Sequence, residues 1–189
     1  MNKSGEVLES STREVMAECR DKDSIPPLGS LVKIETTPVI LAVVYNVFTY
    51  CIEPNRRPTA YGLSIEELEE EQPQIFELLK TAFQAVIVGF YQDGVYHQFS
   101  PPLPPSLHSF VYPCSEEELK SFTEGKDFLR MIMNLNRGQS DEIIISFVRQ
   151  AWTAYKRDKL FLIDMGKELS ILFKDDYDRL RSIMRRIMK

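Results

Sequence analysis

Two Gly-Lys pairs are the first residues in this chain that could do chemistry, because a loop ending in Gly-Lys-Ser/Thr wraps nucleotide phosphates in backbone amides. Neither pair meets the rest of that requirement. Gly125-Lys126 is followed by Asp127 and has Lys120 where the first glycine belongs, while Gly166-Lys167 is followed by Glu168 and has Phe161 there. A thiolate–imidazolium pair needs a cysteine against a histidine. His108 and Cys114 fall on one predicted strand, however, and stand roughly 20 Å apart when it is extended. Pairing either with His97 or Cys51 across strands is the remaining geometry, against the more common fate of a strand-end cysteine as a small buried apolar group. Two histidines and three scattered cysteines give no metal-ligand spacing. The glutamate run Glu66–Glu71 lacks the alternating Asp/Asn and the glycine of a calcium loop and reads as a solvated face. No catalytic residue, metal or cofactor is expected.

Binding chemistry is better represented. In Glu53-Pro54-Asn55-Arg56-Arg57-Pro58 two prolines restrict the backbone around two arginines, whose guanidinium forks suit a carboxylate or another anion. The same pair could instead bond loop carbonyls or the nearby glutamates. Near the C-terminus Leu180, Ile183, Met184 and Ile187 recur at helical spacing, surrounded by Arg179, Arg181, Arg185, Arg186 and Lys189. A basic amphipathic helix there fits core packing, with cations favoured by the helix dipole, but equally a partner groove, a membrane surface or nucleic acid. Asn55, Arg56, Arg57, Arg181, Arg185 and Arg186 are therefore the expected partner-binding residues. Pro101-Pro102-Leu103-Pro104-Pro105 fits a rigid crossover or a ligand for a proline-reading module.

Two β-rich blocks, Ser30–Phe48 and Phe83–Cys114, and a helical tail must position these groups. Residues 1–25 carry few large apolar side chains, so a mobile or partner-ordered arm is expected. Ser30–Thr36 alternates imperfectly as a half-exposed strand, and Val39–Phe48 is β-branched and aromatic almost throughout, which suits a strand buried on both faces. Ser64-Ile65-Glu66-Glu67 is a capping box for a helix that Pro73 kinks or splits. Asp93-Gly94 between Phe83–Tyr91 and Val95–Phe99 predicts a hairpin, and His108–Cys114 a last strand. From the second capping box at Ser115 the pattern is helical, over roughly Glu116–Asn134, Asp141–Arg157, Leu160–Phe173 and Asp176–Met188. Strands first and helices afterwards define an α+β chain: arm 1–25, a small closed barrel with an inserted helix over 26–114, and a helical region over 115–189.

Composition narrows the class. With 189 residues and 43% hydrophobic content the chain can bury a sizeable core. Its odd, widely spaced cysteines suit reduced thiols in a cytoplasmic protein. The polar N-terminus is not a secretory signal, and the run Val39–Phe48 is too short to span a bilayer. A net charge of −5 argues against nucleic-acid binding by bulk electrostatics, leaving only a local basic surface for such contacts.

The ordered set Gly29-Ser30-Leu31-Val32-Lys33-Ile34, Val43-Val44-Tyr45-Asn46-Val47, Gln72-Pro73-Gln74-Ile75, Val86-Ile87-Val88-Gly89, Pro101–Pro105 and His108–Tyr112 resembles the HAS-barrel family over about Leu28–Cys114. That barrel is shared by HerA-type DNA translocases and rotary ATP synthase catalytic subunits. In the translocases it precedes a RecA-like motor, helps assemble the hexamer and contacts an accessory nuclease. No motor follows here, so the resemblance implies assembly and docking without ATPase or translocation activity. The expected function is a non-enzymatic adaptor that docks through its barrel onto a larger complex, a HerA-type hexameric ATPase in DNA processing being the expected partner. The alternative is a peripheral assembly factor for a membrane complex that uses the basic terminal helix. An enzymatic reading centred on Cys114 stands behind both.

Overall fold

The computed structural model describes residues 3–20, 24–53, 59–135 and 137–189. Seven strands, β1 (Gly5–Ser10), β2 (Glu14–Glu18), β3 (Leu31–Ile34), β4 (Val39–Cys51), β5 (Leu79–Gln92), β6 (Val95–His97) and β7 (Phe110–Pro113), form one antiparallel sheet. Its order is β2-β1-β7-β3-β4-β5-β6, and β2 also pairs with β5 from Glu14↔Val86 to Glu18↔Ala82. That second pairing closes six strands into a barrel, with β6 carried outside it on the β5 hairpin. The helices are α1 (Ile65–Glu71), α2 (Gln74–Glu77), α3 (Glu116–Phe122), α4 (Phe128–Met133), α5 (Arg137–Ala154), α6 (Lys159–Leu172) and α7 (Tyr177–Ile187). The expected α+β class and closed barrel are both present.

The arm expected over residues 1–25 is a correction: β1 and β2 are two staves of the barrel. Val15, Ala17 and Cys19 are buried while Glu14, Met16 and Glu18 between them are not, which is the period of a strand with a small apolar face. Small residues suffice because the fully buried Phe83 occupies the same interior cluster. Val7, Val32, Ile34, Ile40, Ala42, Val44, Ala85, Ile87, Phe90 and Val111 complete that filling. Leu31, Leu41, Val43, Val86 and Val88 belong instead to a second core shared with the helices. Apolar residues on both faces are why β4 shows no alternation in sequence.

α5 is the centre of the helical layer, in contact with α3, α4, α6, α7 and β4. Phe122, Phe128 and Phe147 meet ring to ring beneath it, at centroid separations of 5.2 and 4.9 Å. Gly29, at φ +80°, lets the chain approach α5 so closely that a Cβ would lie 2.6 Å from the Ser146 side chain. Gln150 fixes this approach by donating to the Leu28 carbonyl (2.7 Å) and accepting from the Ser30 hydroxyl (3.2 Å).

Local signals along the chain are mostly obeyed. Both capping boxes are made, by Ser64 with Glu67 and by Ser115 with Glu118, and Pro73 separates α1 from α2. β5 begins at Leu79 rather than Phe83 because Leu79–Ala82 already pairs with β4. The single helix expected over Glu116–Asn134 is two, α3 and α4. Between them the Thr123 hydroxyl bonds back to the Leu119 and Lys120 carbonyls. Gln98 bridges the gap, donating to the Phe122 carbonyl at 2.6 Å and accepting from the Phe128 N–H at 3.2 Å.

Candidate functional site

With the barrel interior filled by side chains, chemistry must happen on its surface. One outer wall is covered by the helices. Beside that cover, adjacent strands β7, β3, β4, β5 and β6 form a groove of about 660 Å³ lined by Lys33, Glu35, Val39, Leu41, Tyr91, Tyr96, Tyr112 and Glu118. Register explains the convergence. Tyr112 pairs with Lys33 and Lys33 with Leu41, while Val39 pairs with Tyr91 and Tyr91 with Tyr96. Two rows of side chains therefore cross the same patch of sheet, with Val39 and Leu41 as its floor.

The charges in the groove are unequal. Lys33 is neutralised by an ion pair with Glu118, whose carboxylate also accepts from the Ser115 backbone N–H at 2.8 Å. Burial alone would raise the Glu118 pKa, but the Lys33 and Ser115 bonds outweigh it and hold the carboxyl below its ordinary value of 4.5. Glu35 is exposed and accepts only from the Tyr112 hydroxyl, at 3.3 Å; among the described residues no base pairs with it. Burial and then the Glu118 charge push Tyr96 up to about 12, and burial and Glu35 raise Tyr112, so these two phenols stay neutral at physiological pH. The Tyr91 and Tyr96 rings lie 4.7 Å apart between centroids, tilted by 47°.

The residues expected from sequence fall elsewhere. Asn55, Arg56 and Arg57 lie outside the described residues. Arg181 and Arg185 are exposed on α7, and Arg186 pairs with Glu142 of α5 at 2.5 Å. The stripe between them faces inward: Ile183 and Ile187 are each 1% exposed. Arg179 adds a 2.5 Å pair with Asp141 and a 3.1 Å bond to the Ser140 hydroxyl. Neither Gly-Lys pair forms a phosphate loop, since Gly125-Lys126 lies in the α3–α4 turn, where Lys126 pairs with Asp164 at 2.9 Å, and Gly166-Lys167 lies within α6. His108 contacts Glu6 at 2.6 Å, whereas Cys114 packs against the helical core. Burial and then Glu118 push that thiol up to about 12, the opposite of an activated nucleophile.

Glu35, Tyr91, Tyr96 and Tyr112 were not singled out from sequence. Tyr91 and Tyr96 stand symmetrically about Asp93-Gly94, so the predicted hairpin already placed them face to face. Their neighbours on β3 and β7 needed the barrel's register. Among the described residues no three His, Cys, Asp or Glu side chains are grouped to hold a metal ion, and no helix is long and apolar enough to cross a membrane.

A packed barrel with its open groove on the outside defines a binding module in form. Residues 5–93 match the HAS barrel domain model, the same family that the sequence resembles. The match begins at β1, which places the first two staves inside the domain, and ends at Asp93, after β5 and before β6. No curated protein matches the chain.

Proposed function

We propose that this protein is an adaptor that docks through its HAS barrel onto a larger complex, a HerA-type hexameric ATPase engaged in DNA processing. The observation that carries the reading is a closed, side-chain-filled barrel with one outer wall sealed by its own helices and the next left as an open groove. Such a module meets other molecules with its outside. The barrel half is also the acidic half: residues 1–114 contain 15 acidic and 8 basic side chains, against 13 and 15 in residues 115–189. A partner with a basic docking face gains on-rate and selectivity from that asymmetry. Native-level expression followed by crosslinking and affinity capture tests the reading: recovery of a hexameric ATPase is expected, and capture of no assembly overturns it.

The membrane reading is less favoured by α7. Ile183 and Ile187 are already buried in the shared core, so moving them into lipid exchanges one apolar environment for another and yields no net apolar gain. The exposed bases Arg181, Arg185 and Lys189 offer about 1 kcal/mol each at an anionic surface, against which release of α7 breaks the Arg179–Asp141 and Arg186–Glu142 pairs. Flotation with anionic vesicles, with and without residues 176–189, is expected to show no tail-dependent binding.

A further inference from the structure

Among the described residues, the groove on the barrel wall contains a carboxylate without a basic partner, two tyrosine rings in contact, and an apolar floor. We propose that it receives an arginine side chain from the docking partner, with Glu35 taking the guanidinium and Tyr91, Tyr96 and Tyr112 enclosing it. The inference rests on the docking reading above and gives that partner its chemistry.

The geometry favours a planar cation. Glu35 follows β3 and Tyr91 is the penultimate residue of β5, with β4 between them, so two strand spacings, about 10 Å, separate the carboxylate side from the aromatic side. A guanidinium fits that width flat against a ring while donating in parallel to a carboxylate. Lysine offers the charge without the plane. The Tyr112 hydroxyl donates to Glu35 and orients it. Val39 and Leu41 give the arginine's methylenes an apolar bed. Among the described residues lining the groove the one cation, Lys33, is already held by Glu118 and leaves the net charge negative. An anionic ligand would meet Glu35 unopposed, and a wholly apolar one would strand its charge. The acidic excess of the barrel half draws a basic segment toward the groove from a distance.

The test uses the full chain and follows tyrosine ring resonances by NMR as capped Gly-Arg-Gly, Gly-Lys-Gly and Gly-Glu-Gly peptides, and free arginine, are added. Saturable shifts of Tyr91, Tyr96 and Tyr112 are expected with the arginine peptide, binding at least fivefold tighter than the lysine peptide. Glu35→Gln and Tyr91→Leu, both at exposed positions, are each expected to weaken it at least fivefold without changing the unfolding midpoint. No saturable shift, an equal response to the glutamate peptide, or full binding by Glu35→Gln overturns the inference. Free arginine binding more tightly than the peptide also overturns it, by assigning the groove to a metabolite. Affinity capture with the Glu35→Gln, Tyr91→Leu double variant separates the two readings. Equal recovery of a complex by wild type and double variant leaves docking intact and removes the groove from it. Arginine-peptide binding by a wild type that captures no complex supports the groove chemistry and removes docking.

Discussion

Gly94 at φ +84° follows Asp93 at φ +50°, the mirror-image backbone that a two-residue hairpin needs. A Cβ on Gly94 would touch nothing, so a substitution there probes backbone conformation alone. Gly94→Val is expected to cost about 1–2 kcal/mol, the usual penalty of a left-handed residue with a branched side chain. Urea titration measures it, and an unshifted midpoint would show that the turn relaxes freely. Glu118 provides a second test at this scale, because its folded pKa lies below the unfolded value. Its stabilising contribution is fully present above about pH 4.5 and is lost as pH falls through the lower folded pKa. Glu118→Gln is expected to remove that part of the acid dependence, seen as a flatter stability curve below pH 4.5.

Among the elements, α7 separates packing from contact. Ile183→Ala is expected to cost about 2–5 kcal/mol, as a truncation in a filled core does. Arg181→Glu and Arg185→Glu on its outer face are expected to stay within about 0.5 kcal/mol of wild type. Thermal unfolding of the three variants checks the contrast. Capping falls between these two at α3, where Ser115→Ala is expected to cost about 1 kcal/mol.

The elements also show what the sequence made legible. The hairpin, both capping boxes and the Pro73 break were readable because each rests on residues adjacent in the chain. β1 and β2 were not, because Val15, Ala17 and Cys19 form a small apolar face that only an interior already holding Phe83 makes worthwhile. The α3–α4 break escaped for a similar reason: Gln98, 24 residues before Phe122, supplies the bond that stabilises it. The groove was legible only in half. Tyr91 and Tyr96 follow from a local turn, but bringing Glu35 and Tyr112 beside them requires the order β7-β3-β4-β5, which no local pattern specifies.

At the scale of the whole molecule, the barrel keeps its own interior but shares a second core with the helices. Leu31, Leu41, Val43, Val86 and Val88 are buried in the same cluster as Phe122, Phe147, Ile183 and Ile187. The chain is therefore expected to unfold in a single transition, with barrel tyrosine fluorescence and helical circular dichroism changing together. Separate midpoints would show that the two layers are independent. Sharing a core also restricts function, since a partner cannot occupy the wall that the helices cover without displacing α5.

Closure through β2 bears on how the protein can be cut and reassembled. A chain missing its first twenty residues would leave β5 and β7 each with an unsatisfied edge, two gaps matched in shape and spacing to one hairpin. A synthetic peptide of residues 1–20 added in trans is expected to insert as a donor hairpin between them, seen as recovery of the sheet's circular dichroism signal.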